Sequence, residues 1–142
     1  MITIEPGAAR VMREHAAAAY PNECCGALVG VDEGGARIIS AAWPIENTAP
    51  ESPARRFSVA PSDYREVEVR ASREGRSLLG FYHSHPDAPA APSQHDLQQA
   101  WPNIDYLILS VVRARPADIT CWRLRDDRAA FAREEIAWQP ES

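Results

Sequence analysis

The run Ser77-Leu78-Leu79-Gly80-Phe81-Tyr82-His83-Ser84-His85-Pro86 limits what this chain can build more than any other stretch. An apolar segment ending at a proline reads as a buried strand, and on a strand residues two apart project to the same face. His83 and His85 therefore leave the strand together. Pro86, Pro89 and Pro92 mark a turn, and Ser93-Gln94-His95-Asp96 has the Ser-x-x-acid form that opens a helix by side-chain capping. Asp96 then falls in the first helical turn. A strand end and a helix start joined by a short loop can offer two imidazole nitrogens and one carboxylate oxygen to a single ion. That is the ligand number and type of a catalytic zinc that keeps its fourth position for water. His83, His85 and Asp96 are the candidate metal ligands.

The rest of the chain reads as a frame for this unit. Pro6 to Ala19 is an amphipathic helix, with Ala8, Val11, Met12, His15 and Ala19 at three- and four-residue steps and Tyr20-Pro21 ending it. Gly26 to Val31 and Arg37 to Trp43 form a hairpin about Asp32-Glu33-Gly34-Gly35. Pro44 to Arg55 is a polar loop, and Phe57-Ser58-Val59 is a short strand candidate. A helix capped by Ser62 or Asp63 runs to about Gly75, with Tyr64, Val67 and Ala71 inward. After the metal-bearing strand, Asp96 to Trp101 is a short helix stopped by Pro102, and Tyr106 to Val112 is a strand. Ile119 to Leu124 and Ala129 to Ile136 pair as a terminal hairpin around Asp126-Asp127. Strands and helices in mixed order predict an α/β domain, a mixed and mostly antiparallel sheet flanked by helices. It extends over 1–138, with 139–142 a frayed tail.

Size and charge exclude several classes. A chain of 142 residues is about one domain, able to bury roughly two thirds of its unfolded surface. A formal net charge of -5 disfavours nucleic acid, which calls for a clustered basic face. No long apolar stretch predicts a membrane span and no secretory signal opens the chain, so a cytoplasmic location is expected. Three cysteines, Cys24, Cys25 and Cys121, do not suggest a disulfide framework. Alternation sends Cys24 and Cys25 to opposite faces, which favours packing over metal binding; whether either meets Cys121 stays open. All 15 basic residues are arginines, as genome composition would produce and as an enzyme that removes lysine-linked modifiers could exploit. His15 reads as structural and His95 as a solvated or outer contact. The four tryptophans read as packing residues, with Trp101 and Trp122 the interface candidates.

Glu23, in Pro21-Asn22-Glu23-Cys24-Cys25-Gly26, adds a carboxylate just before a strand. Glu, then His-Ser-His-Pro, then seven residues from Pro86 to Pro92 and Ser-x-x-Asp resemble the signature of the JAMM (MPN-plus) metallopeptidases. Phe57 before Pro61-Ser62-Asp63-Tyr64, and Tyr106 to Val112, resemble the short bacterial and archaeal members. The resemblance implies a JAMM/MPN, cytidine-deaminase-like fold with one Zn2+ per chain on His83, His85 and Asp96. It implies Glu23 as the general base that later returns its proton to the departing amine, and Ser93 as the hydrogen-bond donor to the oxyanion. A serine can cap a helix with its lone pairs and donate with its hydrogen at once. The short members resemble enzymes that cut after the C-terminal Gly-Gly of a ubiquitin-like sulfur-carrier or modifier protein, releasing cysteine or a lysine side chain. Gly-Gly suits a narrow groove entered by strand addition.

Three rivals remain at this level. A DNA-repair-associated relative shares the His-x-His-Pro and Ser-x-x-Asp pattern, but acidic charge speaks against it. A zinc deaminase needs His-x-Glu and Pro-Cys-x-x-Cys, which are absent. A non-catalytic scaffold of the same fold would be expected to lose ligands, and none is lost here. The carrier protein and the oligomeric state, a homodimer included, stay open.

Overall fold

The structure, a computed structural model, describes residues 1–45 and 60–140. The expected loop from 46 onward, the strand candidate at Phe57–Val59 and the last two residues of the expected tail lie outside the described residues. Ahead of the sheet's main body, β1 (Ile2–Ile4) leads into α1 (Pro6–Ala19). Pro6 occupies the first helical turn, where its missing N–H costs nothing. Ala8, Ala9, Met12 and Ala16 form the buried stripe of α1, with Val11 and Ala19 packed at its margin.

The hairpin of β2 (Cys25–Glu33) and β3 (Ala36–Ile45) turns through Gly34 and Gly35, at φ 61° and 87°. A two-residue hairpin turn with both central residues left-handed matches the twist of its strands, and glycine reaches that region without strain. Helix α2 (Pro61–Arg73) starts differently from expectation. Its N-cap is Ala60, without a side-chain cap, and Pro61, Ser62 and Asp63 are already helical. Proline at the first position presets the backbone, so the serine and aspartate are not needed as caps. Val67 and Ala71 are its buried residues.

Strand β4 (Ser77–Pro86) carries the histidines and runs antiparallel to β2, with His83 opposite Cys25. After α3 (Gln94–Gln99) come β5 (Asp105–Val112), parallel to β4, and β6 (Arg115–Leu124), antiparallel to β5. Their turn is Arg113-Ala114, with φ 49° and 67°, a left-handed pair that carries no glycine or asparagine to announce it. The expected terminal hairpin is only half right. Strand β7 (Phe131–Glu134) pairs with β6, but after Glu135 the chain continues as β8 (Ile136–Trp138), parallel to β1. The sheet order is β7-β6-β5-β4-β2-β3-β1-β8, so the Phe131–Trp138 run supplies both end strands. Mixed and mostly antiparallel pairing is as expected.

Two apolar layers cover the sheet. Beneath α1 and its Met12 lie Ile2, Ile4, Cys24, Leu28, Ile39, Tyr82, Leu107 and Cys121; on the other face Cys25, Ala27, Val29, Phe81 and Tyr106 meet α2. Cys24 and Cys25 thus face opposite layers, and all three thiols are free. His15 is structural: its Nδ1 lies 2.7 Å from the buried Tyr82 hydroxyl. Trp101, half-buried, packs edge-on to Tyr64 and beside Phe81. Asp105 is fully buried between Arg37 Nε and Arg123 Nε, each at 3.3 Å, and both guanidinium groups also reach Glu134. Asp105 and Glu134 lie close to Cys121, and both carboxylates are engaged by Arg37 and Arg123.

Gly80 marks the closest strand approach beside the site: a Cβ there would sit 1.8 Å from the Asp105 carbonyl oxygen. Backbone cannot yield as a side-chain tip can. Gly80→Ala is therefore expected to destabilise the fold by about 3 kcal/mol or more, read as a lowered thermal midpoint.

Candidate metal centre

Strand β4 delivers His83 and His85 to one face because they are two residues apart, and the parallel β5 holds that strand end through Pro86. Helix α3 delivers Asp96. The capping box forms as the sequence implied: Ser93 Oγ accepts the Asp96 N–H at 3.1 Å, and Asp96 Oδ2 accepts the Ser93 N–H at 2.8 Å. The same Asp96 oxygen lies 3.2 Å from His83 Nε2 and 3.2 Å from His85 Nε2, and those two nitrogens are 3.1 Å apart. Three donor atoms thus form a nearly equilateral triangle. Donors on neighbouring corners of a tetrahedral zinc with bonds of about 2.0–2.1 Å are separated by roughly 3.3 Å, so the triangle fits one face of such a site.

Glu23 arrives from the stretch between α1 and β2. Its carboxylate and the two imidazoles have ligand atoms that all lie within 4.8 Å of one another. Two ties set its position. Cys24 N–H donates to Ser84 Oγ at 2.9 Å while Ser84 N–H donates to the Cys24 carbonyl at 3.1 Å, so the residue after Glu23 is clamped to the residue between the histidines. On the other side, the Tyr20 hydroxyl donates to the Asp87 carboxylate. Sequence reasoning did not single out Ser84. A small polar residue buried between two inward histidines is the signal that could have found it.

The electrostatics favour a cation at the centre. Burial opposes the charge on Asp96, yet its contacts with His83 and His85 and the Ser93 N–H hold its carboxyl far below the usual range. Burial pushes His83 down, toward the neutral imidazole a metal requires. Burial also works against the charged form of His85, but the Asp96 carboxylate and the Pro89 carbonyl outweigh it and raise its pKa. Burial pushes Glu23 up to about 8; a charged His85 pulls it down and the Asp96 charge pushes it up, both by less. His85 Nδ1 lies 3.0 Å from the Pro89 carbonyl. A carbonyl only accepts, so the proton sits on Nδ1 and the lone pair of the neutral ring is left on Nε2, facing the centre.

Every residue expected to build the site is therefore gathered in one place: Glu23, His83, His85, Ser93 and Asp96. Glu23 is 5 %, His83 1 %, His85 9 % and Asp96 5 % exposed, whereas Ser93 reaches the surface. The carboxylate–imidazole cluster is thus buried, with Ser93 at its rim. His95, next to Asp96, is half-buried and outside the triangle. Residues 5–125 match the family described as prokaryotic homologs of the JAB domain. The chain belongs to the prokaryotic JAB-domain family.

Among curated relatives, this JAB-domain chain is 38% identical over 99 residues to the desampylase of Haloferax volcanii, covering 69% of each chain. It is 34% identical to the tail tip assembly protein K of Escherichia phage N15 over 60% of this chain and 30% of that protein. A probable TtuB-protein conjugate cleaving protease of Thermus thermophilus is 36% identical over 52% of this chain and 49% of that protein. The chain thus spans less than two thirds of the latter two. The solution structure of a Desulfitobacterium hafniense protein superposes with a TM-score of 0.86 at 33% identity, over 99% of this chain and 94% of that one. A JAB1/MPN domain protein from Archaeoglobus fulgidus, at 16% identity and a TM-score of 0.63 over 97% of each chain, shares the fold.

A carboxyl shifted upward by burial makes the metal-free protein pH-sensitive. Between the ordinary 4.5 and about 8 the folded Glu23 keeps a proton that the unfolded chain releases, so stability falls as pH rises through that window. In chelator, Glu23→Gln is expected to raise stability over wild type by a few kcal/mol, on the order of 3, at pH 8 and by almost nothing below pH about 4.5. Urea unfolding at the two pH values reads the difference.

Proposed function

We propose that this JAB-domain chain is a zinc-dependent metallo-isopeptidase that hydrolyses the amide bond after the C-terminal Gly-Gly of a ubiquitin-like sulfur-carrier or modifier protein. The observation that carries the reading is the convergence of His83, His85 and Asp96 at 3.1–3.2 Å with the Glu23 carboxyl beside them. Those three side chains would hold the zinc. A bound zinc supplies an acidified water and polarises the scissile carbonyl. Glu23 would act in its ionised form, which the charge of a bound zinc favours against the burial that raises its carboxyl, taking the proton of the attacking water and returning it to the leaving amine. Ser93, with its lone pair committed to the Asp96 N–H, has its hydrogen left to donate to the oxyanion at the rim of the cluster.

Two findings support the substrate class. Relatives bearing the names desampylase and conjugate cleaving protease match over 69% and 52% of this chain. Beyond Ile39, β3 has no strand partner opposite β2 among the described residues, since β1 pairs only with Arg37, Ile38 and Ile39. Its end, Ile45, stands level with Cys25 and hence with His83. An extended tail can add to such an edge, and glycines present no side chain to obstruct it.

The test compares wild type with three variants for zinc content and for cleavage of a Gly-Gly carrier extended by cysteine or by a lysine isopeptide. His85→Ala is expected to lose metal and activity together. Glu23→Gln keeps its metal and loses turnover, and Ser93→Ala keeps its metal with a rate lower by about 100- to 1000-fold. Full turnover in Glu23→Gln removes the proposed base.

A further inference from the structure

The loop between the histidine strand and α3 is poor in backbone donors, because Pro86, Pro89 and Pro92 have no N–H. The Ala91 N–H donates to the Pro89 carbonyl at 2.9 Å, and three side chains in succession bind the loop's carbonyls as well. Ser110 Oγ donates to Ala88 O at 2.7 Å, His85 Nδ1 donates to Pro89 O at 3.0 Å, and Thr120 Oγ1 donates to Ala90 O at 2.5 Å. The direction of the last bond is fixed by its neighbour. Trp122 Nε1–H donates to Thr120 Oγ1 at 2.7 Å, and a hydroxyl has a single hydrogen, so Thr120 gives that hydrogen to Ala90. The carbonyls on either side of Pro89 are thereby pinned to β5 and β6, and both hydroxyl residues are buried.

We propose that Thr120, seconded by Ser110, is a positioning residue for His85, holding the Pro89 carbonyl where it fixes the imidazole with its proton on Nδ1 and Nε2 toward the centre. The inference builds on the metal-site reading under the proposed function. A histidine ligand is oriented by whatever accepts from its other nitrogen, and loss of such an outer partner costs about 10- to 100-fold in metal affinity or activity. Here the outer partner is a backbone carbonyl, which no side-chain substitution can delete. Its placement depends on a threonine 35 positions beyond His85, whose hydroxyl holds the neighbouring Ala90 carbonyl.

The experiment uses the full chain with Thr120→Val, which keeps the shape and removes the hydroxyl, and Thr120→Ser, which restores it. Two quantities are measured: the zinc dissociation constant by competition with a chromophoric chelator, and the ring nitrogen shifts of His85 in the metal-free protein by NMR. Thr120→Val is expected to bind zinc about tenfold more weakly, with the Nδ1-protonated signature of His85 lost or averaged, and Thr120→Ser to return both toward wild type. A folded Thr120→Val with unchanged affinity and unchanged His85 shifts overturns the proposal. Should Thr120→Val not fold, Ser110→Ala is read in the same two ways, and wild-type values there overturn it equally. If wild type itself binds no zinc, the metal-site reading fails, while the His85 shifts in the metal-free variants still decide whether the latch orients the ring.

Discussion

Asp96 Oδ2 accepts the Ser93 N–H at 2.8 Å and faces two imidazole nitrogens at 3.2 Å, so one buried oxygen ties a helix start to a strand end. Desolvating a carboxylate is unfavourable by several kcal/mol unless its lone pairs are met, and here they are met by a backbone donor and by whatever sits between the histidines. The demand explains the local architecture. Helix α3 has only six residues, too few to persist alone, and it forms where its capping carboxylate is also held by β4.

Much of this was legible from the chain. The histidine pair, the proline turn and the Ser-x-x-Asp cap each rest on short-range rules, namely alternation on a strand and reciprocal capping, and each is realised. The Gly34-Gly35 turn, helix α1 and the opposite facing of Cys24 and Cys25 follow from the same kind of rule. What escaped has a common character. The three residues of β1 and of β8 are too short to show periodicity and exist because they pair with each other across the length of the chain. The Arg113-Ala114 turn carries no residue that favours a left-handed backbone, so tertiary closure overrides local preference there. Ala60 caps α2 by default, because Pro61 settles the helix start ahead of the more eligible serine and aspartate.

The partners that orient the site escaped for a different reason. Ser84 was visible only as the residue between two others, and Ser110 and Thr120 only as small polar residues in strands. Their contribution lies in which carbonyl or amide they reach, and that depends on the β4–β5 and β5–β6 registers. Reacting groups are recognisable by type and spacing, whereas supports are recognisable only by contact. The ionic cluster of Arg37, Asp105, Arg123 and Glu134 belongs with the supports, joining β3, β5, β6 and β7 where the end strands come together.

The run from Phe131 to Trp138 has a kinetic consequence. Strand β1 acquires its second neighbour only from Ile136–Trp138, so its pairing cannot be completed until Trp138 has left the ribosome. Contacts of such separation slow folding, since the intervening chain must be ordered before they form. Until then the growing polypeptide displays the outer edge of β1 unsatisfied, the kind of surface that chaperones shield during synthesis.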